Sequence, residues 1–342
     1  MRIILGIVIG CFILTTSSWA GIAGYPDKVR ANTLIVPFFE VGIDSSTHPH
    51  DTLLVVCRHE NSGYVHLHVW DIDGNAVDLY QNFTVESGHC EDFSMRALIE
   101  AASSSVQEAL KVNDEFYRGF VTIDVVTEQT TLSPIDTGYP LGSENSLTGY
   151  IYYTRLTEGS SNGLTMVPIE YVGNSLHWAL HGFYHGSDGL EEIDTQARSC
   201  AAELSQEASS CSEKKKIYKL YGRVFLKSDQ KATTRLIVFT WNTDFIGGPS
   251  EFCKTHSCDE TYRFYRNNKE GDVVEDKTIR LDHVVNVFDI SGTQGGYFYI
   301  MNIDDSEQNF QVYAFIFNSY NPGEVGGINM NWDAIFEAYI VP

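Results

Sequence analysis

The chain has 342 residues, 43% of them hydrophobic and 13% aromatic, which is ample for a packed core and too apolar for a disordered polymer. It carries 45 acidic residues against 23 basic ones, a net charge of −22. That balance offers no basic footprint to offset phosphate repulsion, so nucleic acid is not expected as a partner, and an anionic membrane surface is disfavoured for the same reason.

The N-terminus reads as a secretory leader. Arg2 supplies one positive charge, Ile3 to Leu14 form an apolar run, and Ser18 and Ala20 place small residues where a signal peptidase needs them. Residues 1–20 are therefore expected to be a signal peptide cleaved after Ala20, with Ala23 as the alternative point. The run is too short for a membrane anchor, and no later stretch is apolar for long enough to span a bilayer. Val8-Ile9-Gly10-Cys11 resembles a lipidation box, but the apolar run continues past Cys11, so ordinary cleavage is the preferred reading. The expected location is exported: periplasmic, cell-surface or extracellular.

Six cysteines remain after the leader: Cys57, Cys90, Cys200, Cys211, Cys253 and Cys258. An even number in an exported chain points to disulfides, and the spacing favours sequential pairs, 57 with 90, 200 with 211 and 253 with 258. Cys253 and Cys258 flank His256, which leaves a metal knuckle as the rival reading of that pair.

Along the chain the dominant hydrophobic period is two. Strands are expected at Thr33–Glu40, Thr52–Arg58, Tyr64–Trp70, Ala76–Val85, Gly119–Thr127, Thr148–Leu156 and Leu164–Val172. The same pattern recurs at Ile217–Leu226, Thr233–Trp241, Tyr262–Tyr265, Val273–Glu275, Thr278–Ile290, Gly296–Ile303 and Asn309–Asn318, and Trp332–Val341 is read as a strand over a helix. Two segments depart from it. Ser94 to Val112 places Met95, Leu98, Ile99, Ala102, Val106 and Leu110 on one helical face, with Asp92 or Ser94 as cap, and Leu190–Leu204 is a second, shorter helix. The fold class expected is all-β: a β-sandwich spanning residues 21–342 with one or two helical insertions, one around 175–215. Two smaller β domains divided in that region are the alternative.

Histidine is the most suggestive residue for a site. Tyr64, His66, His68 and Trp70 share one face of an alternating strand, and an outward face would make them a ligand-binding platform for a glycan or a protein surface. His66 and His68, two residues apart, are also the best metal candidates, as two ligands of a zinc or copper site with a third from His48, His50, His59 or His89. His177, His181 and His185 repeat every fourth residue, but Gly182 and Gly186 argue against the helix that would align them. Gly159–Gly163 fits the letters of a hydrolase nucleophile elbow but lacks the strand-then-helix setting and reads as a hairpin loop. Asp71, Asp73, Asn75 and Asp78 resemble half a calcium loop without its closing glutamate, and Asp304, Asp305 and Glu307 cluster similarly, so weak calcium binding is the most that these acids imply. No catalytic residues are assigned and no cofactor is expected. The preferred reading is a non-catalytic exported protein with a binding or structural role. A zinc- or copper-dependent exported enzyme using His66 and His68, and a subunit of an extracellular assembly, are the alternatives.

Overall fold

The computed structural model describes residues 30–137, 140–155, 160–172, 175–178, 215–224, 232–242, 260–267, 273–289, 296–302, 310–320 and 334–341. The fold is all-β and sandwich-like, with antiparallel sheets and two short helices. In the first half, β1 (Thr33–Gly42), β2 (His50–Arg58), β3 (Gly63–Trp70), β4 (Ala76–Val85) and β5 (Cys90–Ser94) precede α1 (Met95–Ala101) and α2 (Ser104–Leu110). They are followed by β6 (Phe116–Val126), a single helical turn α3 (Pro134–Thr137), β7 (Leu147–Arg155), β8 (Ser160–Thr165), β9 (Val167–Val172) and β10 (Ser175–Trp178). These strands build a six-stranded sheet, β10-β9-β1-β6-β3-β4, and a four-stranded sheet, β5-β2-β7-β8.

β1 is buried at every position, which explains why it is apolar almost without alternation: it lies inside a sheet covered on both faces. Its proline, Pro37, falls in the register shift between Val36 and Phe39, where a missing N–H disturbs the ladder least. The four-stranded sheet packs on β1. The Phe38 and Tyr153 rings stack at 6.1 Å, the Tyr153 hydroxyl donates to the Phe38 carbonyl at 2.7 Å, and Thr52 bridges the Glu40 backbone.

The single helix expected over Ser94–Val112 is two. Ser94 caps α1 by accepting from the Ala97 N–H at 3.0 Å, and Ser103 caps α2 by accepting from Val106 at 3.4 Å. A serine that bonds the backbone ahead of it starts a helix rather than continuing one, so the chain breaks at Ala102–Ser103. The apolar stripe survives the break, because Met95, Ile99, Val106 and Leu110 are all buried.

In the second half, β11 (Lys215–Val224), β12 (Ala232–Asn242), β13 (Glu260–Asn267), β14 (Val273–Leu281), β15 (Val285–Asp289), β16 (Gly296–Asn302), β17 (Phe310–Tyr320) and β18 (Ala334–Val341) form two more sheets. Their orders are β14-β13-β16-β11-β18 and β15-β12-β17. The three-stranded sheet meets the six-stranded one. Phe239 packs edge-on against Phe120 at 5.3 Å, Ile237, Val284 and Val285 join the same apolar cluster as β3 and β6, and Arg235 of β12 reaches Glu40 of β1. The helix expected at Leu190–Leu204 lies outside the described residues, as does nearly all of the insert expected around 175–215, where the described Ser175–Trp178 is strand. Among the described residues no helix is long and apolar enough to cross a membrane.

Candidate functional site

The platform expected from Tyr64, His66, His68 and Trp70 is not an open surface. Tyr64 alone is exposed, at 42%; His66 and Trp70 are fully buried and His68 is 4% exposed. The alternation in β3 leaves open whether a second layer covers the face bearing the histidines, and in the structure both faces are covered. Val65, Leu67 and Val69 occupy one side, and the side bearing the histidines shares its sheet face with Phe120, on which Phe239 packs.

That covered face gathers polar residues from four neighbouring strands. Across the β3–β6 ladder His66 lies opposite Asp124 and His68 opposite Thr122; across β1–β6 Thr33 lies opposite Asp124; across β3–β4 His66 lies opposite Asn82 and His68 opposite Tyr80. Side chains on directly paired residues point to the same side of a sheet, so these groups share one enclosed patch.

The hydrogen bonds fix most of its chemistry. The Asn82 amide donates to the Thr130 carbonyl at 2.7 Å while its Oδ1 accepts from the Thr130 N–H at 3.1 Å, which sets its orientation. The Asn82 Oδ1 also lies 3.0 Å from His66 Nδ1. An oxygen can only accept, so His66 carries its proton on Nδ1 and leaves Nε2 as a bare lone pair, with no partner. The Thr33 hydroxyl donates to Asp124 Oδ1 at 2.6 Å, and Asp124 Oδ2 has no partner. Neither ring nitrogen of His68 has one. Its ring lies 5.7 Å from His66, 5.2 Å from Trp70 and 6.4 Å from Tyr80, nearly parallel to the last at 7°. Trp70 is satisfied, donating from Nε1 to the Thr122 hydroxyl at 3.1 Å.

Enclosure decides the charge states. Burial pushes the His68 imidazolium down to about 4, with repulsion from His66 adding to it, and burial lowers His66 against the opposing bond to Asn82. Burial raises the Asp124 carboxyl to about 7 against the Thr33 bond. At neutral pH the patch therefore holds two neutral imidazoles beside an acid poised to ionise. Sequence reading missed Asp124, Asn82 and Thr33, although an aspartate inside the apolar run Phe120–Val126 was a visible signal.

Three of the other expected donors have partners of their own. His48 and His50 pack edge-on against Phe116, and His59 Nε2 lies 2.7 Å from the Thr148 hydroxyl. His89 is exposed in the turn before β5. Among the described residues no three His, Cys, Asp or Glu side chains are already gathered around a common metal position. His177 lies on β10 opposite Glu170, while His181 and His185 fall outside the described residues. Asp71 Oδ1 accepts from the Asp73 and Asn75 N–H groups, and Gly74 adopts a φ of 83°, so the calcium-like acids close the β3–β4 hairpin. Asp304, Asp305 and Glu307 lie outside the described residues. The Gly159–Gly163 segment was expected to be a loop, but Ser160 to Gly163 pair with β7 as the start of β8. Cys57 and Cys90 are bonded, directly opposite each other in the β2–β5 ladder. Cys200, Cys211, Cys253 and Cys258 lie outside the described residues.

No protein-family model and no curated protein matches the chain. Among solved structures, a lectin from Pleurotus ostreatus in complex with GalNAc aligns at 8% identity and a TM-score of 0.18, over 94% of this chain and 86% of that one. The coconut allergen cocosin aligns at 8% identity and a TM-score of 0.13, over 83% of this chain and 76% of that one. Procruciferin, an 11S globulin from Brassica napus, aligns at 9% identity and a TM-score of 0.12, over 87% of this chain and 88% of that one. Likenesses at this level carry no argument about ligand or role.

Proposed function

We propose that this is an exported, non-catalytic β-sandwich protein with a binding or structural role at the cell surface or in the periplasm. The observation that carries the reading is the Cys57–Cys90 bond, which ties an edge strand to its neighbour and which a reducing cytosol would not maintain. It agrees with the leader pattern of residues 1–20. The non-catalytic part rests on how the buried charges are used. Glu40 binds Arg118 and Arg235 between strands, Asp51 accepts from Ser94 and from the Arg96 N–H at the start of α1, and Arg58 pairs with Glu144. Each holds one element against another.

Fractionation of cells producing the full chain tests export: the shortened protein is expected outside the cytosol, and full-length protein confined to the cytosol would overturn the reading. A glycan and peptide array tests the binding role, with Tyr64→Ala as the variant at the exposed end of β3. Turnover of a substrate by the purified protein would overturn the non-catalytic assignment.

A further inference from the structure

We infer that His66, His68 and Asp124 form a binding site for one divalent transition ion of the zinc or copper class, on the buried face shared by β3 and β6. The inference goes beyond the proposed role and does not depend on export.

The argument starts from atoms that native proteins rarely leave idle. His66 Nε2, both nitrogens of His68 and Asp124 Oδ2 are buried on adjacent strands without a hydrogen-bond partner. Buried polar groups are satisfied in the great majority of cases, and a cluster of exceptions marks a missing water or ion. These particular atoms are lone-pair donors: imidazole nitrogens and a carboxylate oxygen, the set that suits zinc and copper.

The surroundings are those of a ligand set. A metal-bound histidine commonly donates its other N–H to a carbonyl or carboxylate, which fixes the ring and its tautomer. His66 does so toward Asn82, itself held by Thr130. Asp124 keeps one oxygen on the Thr33 hydroxyl and has the other free. The 5.7 Å between the two imidazole centres suits a shared ion, because metal–nitrogen bonds of about 2.1 Å put two coordinating rings roughly 5–6 Å apart. Two neutral imidazoles and one carboxylate leave an open position on a four-coordinate ion. The side chains as they stand are not yet gathered around one point. Gathering them requires rotation of His68, whose ring nitrogens have no hydrogen bond to break, and of the Asp124 carboxylate, which shifts its bond to the Thr33 hydroxyl. β4 is the edge strand of this sheet, and its half-buried Tyr80 lies beside both rings while Asn82 bonds His66.

The purified full-length product, stripped with a chelator and then dialysed, is titrated with zinc(II) by calorimetry and with cobalt(II) by visible absorption. The expected result is one ion per chain, ligand-field bands of a low-coordinate nitrogen–oxygen site, and a rise in melting temperature. His66→Gln and His68→Gln are expected to weaken binding at least tenfold, whereas His59→Gln, an exposed histidine outside the patch, leaves it unchanged. Asn82→Ala sits on the half-buried edge strand and removes no ligand, so it tests the site even if a core variant misfolds; a 10- to 100-fold loss, the usual effect of removing such a support, is expected. Absence of stoichiometric uptake would overturn the inference and leave buried water as the partner of these atoms. Uptake at unchanged affinity in Asn82→Ala and in the folded histidine variants would overturn it equally.

Discussion

Glu40 and Asp124 are both buried carboxyls in the six-stranded sheet, and their neighbours send them opposite ways. Burial alone would raise Glu40, but Arg235 at 2.6 Å and Arg118 at 2.8 Å hold its pKa at about 2. A pKa below the unfolded value stabilises the fold above about pH 4.5, and the contribution, on the order of 3 kcal/mol, disappears as the pH falls toward 2. Glu40→Gln leaves two enclosed guanidinium groups without a counter-charge, so a loss of about 3–5 kcal/mol at pH 7 is expected, with a flatter acid limb in denaturant titrations. Asp124 has only the Thr33 hydroxyl, and burial raises it to about 7. Its sign is reversed: the metal-free fold is favoured below about pH 4 and loses stability as the pH rises through 7. Asp124→Asn keeps an acceptor for Thr33 and cannot ionise. In chelator-treated protein it should be more stable than the parent at pH 8, by a few kcal/mol, and close to it at pH 4; an equal difference at both pH values would contradict the burial argument. His68 acts on the acid side, because a folded pKa of about 4 makes the unfolded chain take up its proton first as the pH falls below 6.5.

At the scale of single elements, the two helices depend on their serine caps. Ser94 also donates to Asp51 Oδ2 at 2.7 Å, so it links the start of α1 to β2. Ser94→Ala is expected to cost about 1–2 kcal/mol in equilibrium unfolding, and no change would mean that the Arg96 N–H bond to Asp51 suffices alone. These elements also show what local pattern can and cannot reveal. The range Ala76–Val85 is the same in sequence and structure, because alternation bounded by Asp-Gly-Asn and Ser-Gly turns fixes both ends. Helical period was equally legible in the stripe from Met95 to Leu110, but the break was not, since Ser103 reads as an ordinary helix residue until its hydroxyl turns back to Val106. β5 and β10 are illegible in the sequence because each is a few residues of mixed polarity, β5 paired with the distant β2 and β10 only with β9 just before it. The candidate site was half legible. Spacing puts His66 and His68 on one face, but it cannot say that this face is buried, nor that Asp124 comes opposite His66 from β6.

On the scale of the whole molecule, the contacts between the halves include the Phe120–Phe239 packing, the Glu40–Arg235 ion pair, the Asp73–His283 pair and the bond from the Val285 N–H to the Ile72 carbonyl. The face of β3 that alternation alone would leave outward is an enclosed polar patch. Phe239→Ala removes the ring over Phe120 and is expected to cost about 3–5 kcal/mol, measured by chemical denaturation. Far from that contact, the Cys57–Cys90 bond closes a 33-residue separation and is worth about 3–4 kcal/mol in the chain-entropy account. The same bond is the physical support for the proposal that the protein is exported. The most direct test is peptide mapping of native protein, alkylated without reduction and analysed by mass spectrometry. The account predicts a chain beginning at Gly21 with the Cys57 and Cys90 peptides joined. Alkylated Cys57 and Cys90 on a chain still carrying residues 1–20 would contradict it.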